Sequence, residues 1–223
     1  MRDIPMFTGQ FGVASLIFRE IPFSRCAYVL VRSALPGRME AFLDECRGFC
    51  RAAGAARSLA SAESPLPLPH AYDVLELRCR RQTLQPPEPP VALLPVTPER
   101  AAEYRACYNE LFRQVPNAAG CTAAGLEALL ARGEQACLAL VGAQIAGIAQ
   151  WTDGTLRAVG VLPAFRGLGG PLVRTVCSRM TAAEVTLEVA STNGPALALY
   201  RRLGFGADRL CSSWYVLDGP TGR

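Results

Sequence analysis

A short glycine-rich segment carries the residues of this chain that are best suited to chemistry. Residues 161–170 read VLPAFRGLGG and precede a stretch with helical periodicity. A strand end, an Arg-Gly-x-Gly turn and a helix bring several backbone N–H groups together at the positive end of a helix dipole. Such groups bind phosphate, so these residues are a candidate anion site.

A second segment follows at residues 193–205, with the sequence NGPALALYRRLGF. Asn193 is a residue type that caps helix N-termini. Tyr200 comes seven residues later, two helical turns on, and therefore on the same helix face. Each segment alone is only a weak indication of a functional site. The two segments together, in this order, are a strong indication.

The apolar periodicity predicts the elements that position these segments. Before residue 85 it predicts two strands, a helix over 37–53 and two further strands; Cys46 and Cys50 suit one face of that helix. After residue 90 we expect two helices, strands over 136–141, 145–151 and 155–162, a helix over 171–180, a strand over 185–190, a helix over 194–203, and two strands over 205–210 and 213–217.

This order and the two segments resemble the GNAT superfamily of N-acetyltransferases, over roughly residues 91–217. The resemblance implies an α/β fold with a mixed sheet, a strand before the loop that splays from its neighbour, and acetyl-CoA as the cofactor. It implies that the N–H groups of residues 167–170 hold the pyrophosphate and that the open strand edge pairs with the pantetheine arm. The implied cofactor-binding residues are Val159, Val161, Leu162, Arg166, Gly167, Leu168, Gly169, Gly170, Arg174 and Asn193.

The resemblance also assigns a catalytic role to Tyr200, as the general acid for the departing thiol. The pKa of an ordinary phenol, about 10, is close enough to that of a thiol for the two groups to share a proton in the transition state. The alternative is that Tyr200 is an aromatic core residue. Backbone N–H near Leu162 could contact the oxyanion. Pro171 departs from the family pattern, in which Gly or Ala stands, and removes one N–H donor.

A general base is not evident. Family members that use a strand carboxylate carry it where this chain has Thr155. Glu188 and Asp153 are the nearest acids in the sequence, and a water chain or an amine of low pKa would remove the need for either. We therefore expect an acetyl-CoA-dependent N-acetyltransferase that acts on a small-molecule or protein amine. The alternative is a catalytically inactive acyl-CoA-binding or partner-docking module.

The proline-rich residues 85–90, QPPEPP, predict a semi-rigid linker between two domains. Residues 91–223 would then be the acetyltransferase domain. Residues 1–84 would be a smaller α/β domain, and their strand–helix–strand order resembles a degenerate GNAT-like half that lacks the Arg-Gly-x-Gly turn. Alternatively, residues 1–84 could carry the function of the chain, as a domain that docks a partner.

Composition excludes several classes of function. The chain has 223 residues, nine cysteines without a CxxC pair and a single histidine, so we expect reduced thiols, no metal site and no Ser-His-Asp hydrolase. All 23 basic residues are arginine, but the net charge is only +4 and no basic stripe predicts nucleic-acid binding. The N-terminus lacks a signal-peptide pattern, and no apolar run is long enough to span a membrane. These features predict a cytoplasmic protein; its oligomeric state stays open.

Overall fold

The computed structural model describes residues 6–116 and 118–218, with the backbone alone for residues 207 and 208. The chain divides into two compact units. Unit 1 contains the residues up to Val74 and those from Leu210 onward, and unit 2 contains Leu75–Arg209. The division falls inside strand β5 (His70–Arg80) and strand β11 (Gly206–Asp218). The N-terminal residues on which the signal-peptide prediction rests lie outside the described residues.

Unit 1 is a mixed sheet with one long helix. Its strands lie in the order β1-β2-β3-β4-β11. Besides β11, its elements are β1 (Met6–Thr8), β2 (Gly12–Ile17), α1 (Ile21–Ser24), β3 (Cys26–Ala34), α2 (Met39–Ala52) and β4 (Arg57–Ser61). Helix α2 connects the parallel strands β3 and β4. This β-α-β order agrees with the predicted elements, except that β1 and the short α1 were not predicted.

Helix α2 buries the face that its periodicity predicts. Phe42, Leu43, Cys46 and Cys50 are all buried in the core of unit 1. Gly54, with φ of +86°, follows the helix at the point where its end was expected. The first turn of α2 carries Glu40, whose charge disfavours an anion there.

Unit 2 also contains mixed β-sheet, with helices on both faces. Its strands lie in the order β5-β10-β9-β8-β7-β6. Besides β5, its elements are β6 (Ala92–Pro95), α3 (Ala101–Phe112), α4 (Ala123–Ala131), β7 (Gln135–Val141), β8 (Gln144–Thr152), β9 (Thr155–Val161), α5 (Gly169–Cys177), β10 (Glu184–Ala190), α6 (Gly194–Arg202) and the start of β11. Side chains of α5 and α6 share one core cluster, and side chains of α3 and α4 share another on the opposite face. The predicted α/β class with a mixed sheet is confirmed.

The boundaries of the two compact units differ from those of the two predicted domains. Residues 75–84 belong to unit 2, because Leu77 and Leu84 are buried in its core and the Arg81 N–H donates to the Ala183 carbonyl. The proline-rich residues 85–90 therefore connect two parts of unit 2. The two predicted C-terminal strands form the single strand β11, whose end pairs with β4 through Tyr215 and Ala60, so these residues belong to unit 1.

Membrane and metal sites have no support in the described part of the chain. None of the helices there is long and apolar enough to cross a bilayer. No three His, Cys, Asp or Glu side chains within residues 6–116 and 118–218 are arranged to hold a metal ion. All nine cysteines are free thiols, and seven of them are buried.

The buried thiols make the stability of the protein fall at alkaline pH. Burial raises the pKa of Cys46 and Cys177 to about 12 and that of Cys50, Cys107 and Cys137 to about 11, from an ordinary value of 9.0. Well below pH 9 the thiols hold their protons in both states. Above it the unfolded thiols ionise first, so the free energy of unfolding falls as pH rises towards 11–12.

We expect a loss of roughly 1 kcal/mol per buried thiol by about pH 10. Urea unfolding with a reductant, at about pH 6.5, 7.5 and 10, measures it. The first two values should agree and the third should be several kcal/mol lower. Equal free energies of unfolding at the lowest and the highest pH would contradict the burial of these thiols.

Candidate functional site

The site is built where strand β9 separates from strand β10. These parallel strands pair only at Thr155 with Thr186 and at Leu156 with Leu187. Both strands continue beyond these pairs, to Val161 and to Ala190. A slot therefore opens between them towards their carboxyl ends, as the sequence predicted.

The edge of β9 that faces this slot carries unused backbone groups. On the other side β9 pairs with β8 in regular antiparallel register from Ala158 to Val161, and the Leu162 N–H continues it by donating to the Ala146 carbonyl at 2.8 Å. Because alternate residues of a strand face opposite sides, the N–H and C=O groups of Val159 and Val161 point away from β8. They point into the slot, where an extended ligand can pair with them.

The turn after β9 leaves several N–H groups without a partner. The Phe165 N–H donates to the Leu162 carbonyl at 2.9 Å and the Leu168 N–H donates to the Phe165 carbonyl at 3.1 Å. In the described part of the chain, no acceptor is found for the N–H groups of the other residues of the turn, Arg166, Gly167, Gly169 and Gly170.

Two of the predicted backbone contacts need correction. The N–H of Leu168 is engaged inside the turn, although residues 167–170 were all expected to offer theirs. Leu162 has both backbone groups engaged, since its carbonyl accepts from Phe165 and its N–H donates to Ala146. Pairing with β8 extends one residue beyond Val161. The Leu162 N–H is therefore not available to stabilise an oxyanion.

Helix α5 starts two residues before its predicted first residue, Pro171. The first intrahelical hydrogen bond runs from the Leu172 N–H to the Leu168 carbonyl at 2.9 Å, so Gly169, Gly170 and Pro171 form the first turn. N–H groups of a first turn have no intrahelical acceptor, which is why proline fits there. The N–H groups of Gly169 and Gly170 therefore stand at the positive end of the α5 dipole.

Two arginines add positive charge near this turn. Arg166 and Arg174 are exposed, and neither makes an ion pair or a side-chain hydrogen bond with any described residue. Residues 162–183 contain no acidic residue at all. The turn and the first turns of α5 thus combine N–H donors, a helix dipole and unpaired guanidinium groups, which together favour an anion.

Helix α6 lies beside the start of α5 and brings Tyr200 into the same cluster. A Cβ on Gly169 would lie 3.2 Å from Cδ2 of Leu199, so the glycine permits a close approach of the two helices. Val159, Val161, Leu168 and Tyr200 all pack against one core cluster. The structure thus brings together the predicted strand, loop and helix residues.

Asn193 caps α6 as predicted. Its side-chain oxygen accepts a hydrogen bond from the Ala196 N–H at 3.3 Å. Its own N–H donates to the Ala190 carbonyl at 2.9 Å, which fixes the turn between β10 and α6. The contact of Asn193 with a cofactor stays a prediction.

Tyr200 is half-buried, and its ring packs edge-on against Phe205 with 5.7 Å between ring centroids. Burial raises the pKa of Tyr200 to about 12, and the nearby Cys177 thiol adds to the shift. Its hydroxyl makes no hydrogen bond to any residue within 6–116 or 118–218. The phenol is therefore protonated at neutral pH and has an O–H to donate.

The three candidate positions for a base have different surroundings. The Thr155 hydroxyl lies 3.3 Å from that of Thr186 and is no base. Asp153 accepts from the N–H groups of Thr181, at 2.6 Å, and Ala182, at 3.1 Å, and hydrogen bonding by Thr181 lowers its pKa. Asp153 thus closes a turn at the far end of β9. Glu188 is exposed on β10, just beyond the last pair with β9.

Known proteins share this architecture. Residues 136–214 match the family model described as FR47-like protein, a GNAT-type family. A GCN5-related N-acetyltransferase from Kribbella flavida has a TM-score of 0.58 at 19% identity, over 99% of this chain and 91% of that one. A functionally unknown conserved protein from Staphylococcus epidermidis has a TM-score of 0.60 at 15% identity, with 97% and 94% covered.

A tandem GNAT protein from the clavulanic acid biosynthesis pathway has a TM-score of 0.51 at 19% identity, over 95% of this chain and 80% of that one. The search of curated proteins finds no match. The family match and the shared fold confirm the predicted resemblance to the GNAT superfamily.

The turn conformation makes a prediction about stability. Gly167 has φ of +102°, a conformation that costs an L-residue about 1–2 kcal/mol, whereas a Cβ on Gly170 would make only ordinary contact with Leu199 at 3.7 Å. We expect Gly167→Ala to lower the free energy of unfolding by about 1–2 kcal/mol. Gly170→Ala should leave it unchanged or raise it by up to ~1 kcal/mol. Urea unfolding of both variants measures this, and equal effects would show that the turn lacks this geometry.

Proposed function

We propose that unit 2 is an acetyl-CoA-dependent N-acetyltransferase, in which an amine attacks the thioester directly. One observation carries the proposal. The open edge of β9 at Val159 and Val161 leads into a turn whose unused N–H groups stand at the start of α5. The GNAT fold of the chain supports the same conclusion.

The residues present fit the pyrophosphate of coenzyme A. The N–H groups of Arg166, Gly167, Gly169 and Gly170 would hold it, with Arg166 and Arg174 supplying positive charge. A Cβ on Gly167 would meet nothing within 4 Å, so the space beside the turn is open. Pro171 removes one donor, and a lost hydrogen bond to a charged group is worth about 1.5–3 kcal/mol.

The slot fits the extended pantetheine arm. Its amides would pair with the backbone of Val159 and Val161, as an added strand pairs with a sheet edge. When bound, acetyl-CoA supplies an activated thioester carbonyl. The side chain of Asn193 stays on the cap of α6, where its amide nitrogen can face the arm.

Tyr200 stabilises the departing thiolate by donating its O–H. An ordinary thiol has a pKa of about 8.5, well below the value of about 12 for Tyr200. Complete transfer of the phenol proton would thus be unfavourable by about 5 kcal/mol. A hydrogen bond to the developing sulfur charge is the larger contribution, and it is worth about 1.5–3 kcal/mol.

The described residues of unit 1 form no second site of this kind. The turn between its β3 and α2 holds Leu35-Pro-Gly-Arg38 and lacks the Arg-Gly-x-Gly sequence. Glu40 in the first turn of α2 repels an anion. We therefore expect one acetyl-CoA per chain. The free, mostly buried thiols favour a reducing compartment, the cytoplasm.

The second candidate function is an acyl-CoA-binding module without turnover. Thr155 favours it, because it stands where related enzymes carry a carboxylate. Both functions require cofactor binding at the turn, and turnover alone separates them.

A negative charge in the turn should weaken cofactor binding without harming the fold. We expect Arg166→Glu to weaken acetyl-CoA binding at least tenfold, since it replaces an exposed guanidinium beside the proposed pyrophosphate site by a carboxylate. Arg166 makes no ion pair or side-chain hydrogen bond with any described residue, so the melting temperature should not fall. Titration calorimetry measures the binding, with wild-type stoichiometry near one. Arg80→Glu, the same change at an exposed arginine at the end of β5, is the matched control. Equal affinities of the two variants would contradict the proposed cofactor site.

Loss of the phenol hydroxyl should slow turnover but spare binding. We expect Tyr200→Phe to lower kcat roughly tenfold to a hundredfold, with acetyl-CoA affinity within about threefold of wild type. Because the pKa of Tyr200 is about 12, wild-type kcat should show no loss from phenol ionisation up to about pH 10. Thiol release measured across an amine panel tests both points. Tyr215→Phe in unit 1 removes a hydroxyl elsewhere and should leave kcat unchanged. A wild-type protein that binds acetyl-CoA and acylates no amine would support the binding module instead.

A further inference from the structure

Glu188 occupies an unusual place for an exposed carboxylate. It lies on β10, an interior strand between β5 and β9. Interior strands of sheets with helices on both faces are normally covered and apolar. Exposure of Glu188 therefore marks a place where one face of the sheet is open. Glu188 is also the first residue of β10 beyond its last pair with β9, so this opening adjoins the slot.

The side chain of Glu188 points away from α5 and α6. Its neighbours Leu187 and Val189 are buried in the core cluster that contains α5 residues. Side chains alternate along a strand, so Glu188 faces the opposite side of the sheet. On that side, Ala158 of β9 is buried with residues of α3 and α4.

Beyond Arg157, the β9 residues on this face, Ala158 and Gly160, are small, and α3 ends above them. A Cβ on Gly160 would lie 2.8 Å from Cδ1 of Leu111 and 3.1 Å from Cε2 of Phe112. These two side chains are half-buried and form an apolar wall. The open space beside Glu188 is thus bounded by small residues of β9, by the apolar side chains of Leu111 and Phe112, and by one carboxylate. These surroundings suit an amine with an apolar body.

The other acids of this region have partners. Glu184, four residues earlier on the same strand face, lies 3.6 Å from the Arg78 guanidinium. Asp153 is held by Thr181 and Ala182. For Glu188 no hydrogen bond or ion pair is found within the described ranges 6–116 and 118–218, although Arg157 follows the last strand pair on β9 and lies on the same face of the sheet. A carboxylate that is held in no ion pair beside a substrate slot is available to a cationic substrate.

We propose that Glu188 binds the ammonium group of the acceptor and takes one of its protons, so that the acceptor is an alkyl-type primary amine. This rests on the proposed acetyltransfer. The ammonium gives one proton to Glu188, and its nitrogen forms the new C–N bond at the thioester carbonyl. The C–S bond breaks, the sulfur takes up the second nitrogen proton, and the Glu188 proton passes to solvent. Bound acetyl-CoA and acceptor would displace water from both charges, which favours the first transfer.

The test compares Glu188→Gln with the matched control Glu184→Gln, on an alkyl amine and on an aryl amine that is neutral at neutral pH. Glu188→Gln should lower kcat/KM for the alkyl amine at least a hundredfold and change that for the aryl amine by less than about fivefold. Glu184→Gln removes the same charge from the same strand face and should change both by less than threefold. Unchanged acetyl-CoA affinity and melting temperature of both variants show that the fold and the cofactor site are intact.

The outcomes separate this proposal from the proposed function. Equal kcat/KM of the two variants on the alkyl amine overturns the role of Glu188 and leaves acetyltransfer standing. A wild-type preference for the aryl amine also overturns it, because a neutral acceptor needs no carboxylate. If the wild-type protein binds acetyl-CoA and acylates neither amine, the proposed function and this role fail together.

Discussion

The short pairing between β9 and β10 is the constraint on which the site depends. Two residue pairs hold these parallel strands together at Thr155 and Leu156, and after that each strand continues without the other. The backbone of Val159 and Val161 is exposed to the slot for this reason alone. A full ladder would consume those N–H groups and close the slot. The proposed cofactor contacts and full sheet pairing therefore exclude each other over these few residues.

Packing on the α5 side keeps this gap from closing. Val159, Val161 and Tyr200 pack against the cluster that buries Leu172 and Leu187, so the separated end of β9 is anchored by side chains. On its other edge β9 approaches β8 closely: a Cβ on Gly147 would lie 2.2 Å from the Gly160 carbonyl oxygen. Apolar burial and hydrogen bonding to β8 hold β9 in place. They offset the unfavourable free energy of the hydrogen bonds that β9 does not make on the slot side.

The turn could be predicted from local sequence patterns. The rest of the site depends on pairing between residues far apart in the sequence, and was therefore difficult to predict. Gly167 at positive φ, the cap by Asn193 and the buried face of α2 each follow from a few consecutive residues. The engagement of the Leu162 N–H depends on Ala146, a residue of another strand. The same holds for β11, whose C-terminal residues join β4 of unit 1. Sequence periodicity carries no record of such partners, so it could not place Glu188 beyond the last strand pair either.

In the proposed acetyltransfer, the slot lets two proton-handling groups act on one reacting centre. Tyr200 approaches from the α6 side, where burial raises the pKa of its phenol to about 12. Glu188 faces the opposite side of the sheet. In a continuous sheet these groups would be separated by backbone. Where β9 and β10 part, a proton can leave the amine on one face while the sulfur accepts a hydrogen bond on the other. A donor and an acceptor on one face would instead neutralise each other in an ion pair or hydrogen bond, so their separation keeps both available.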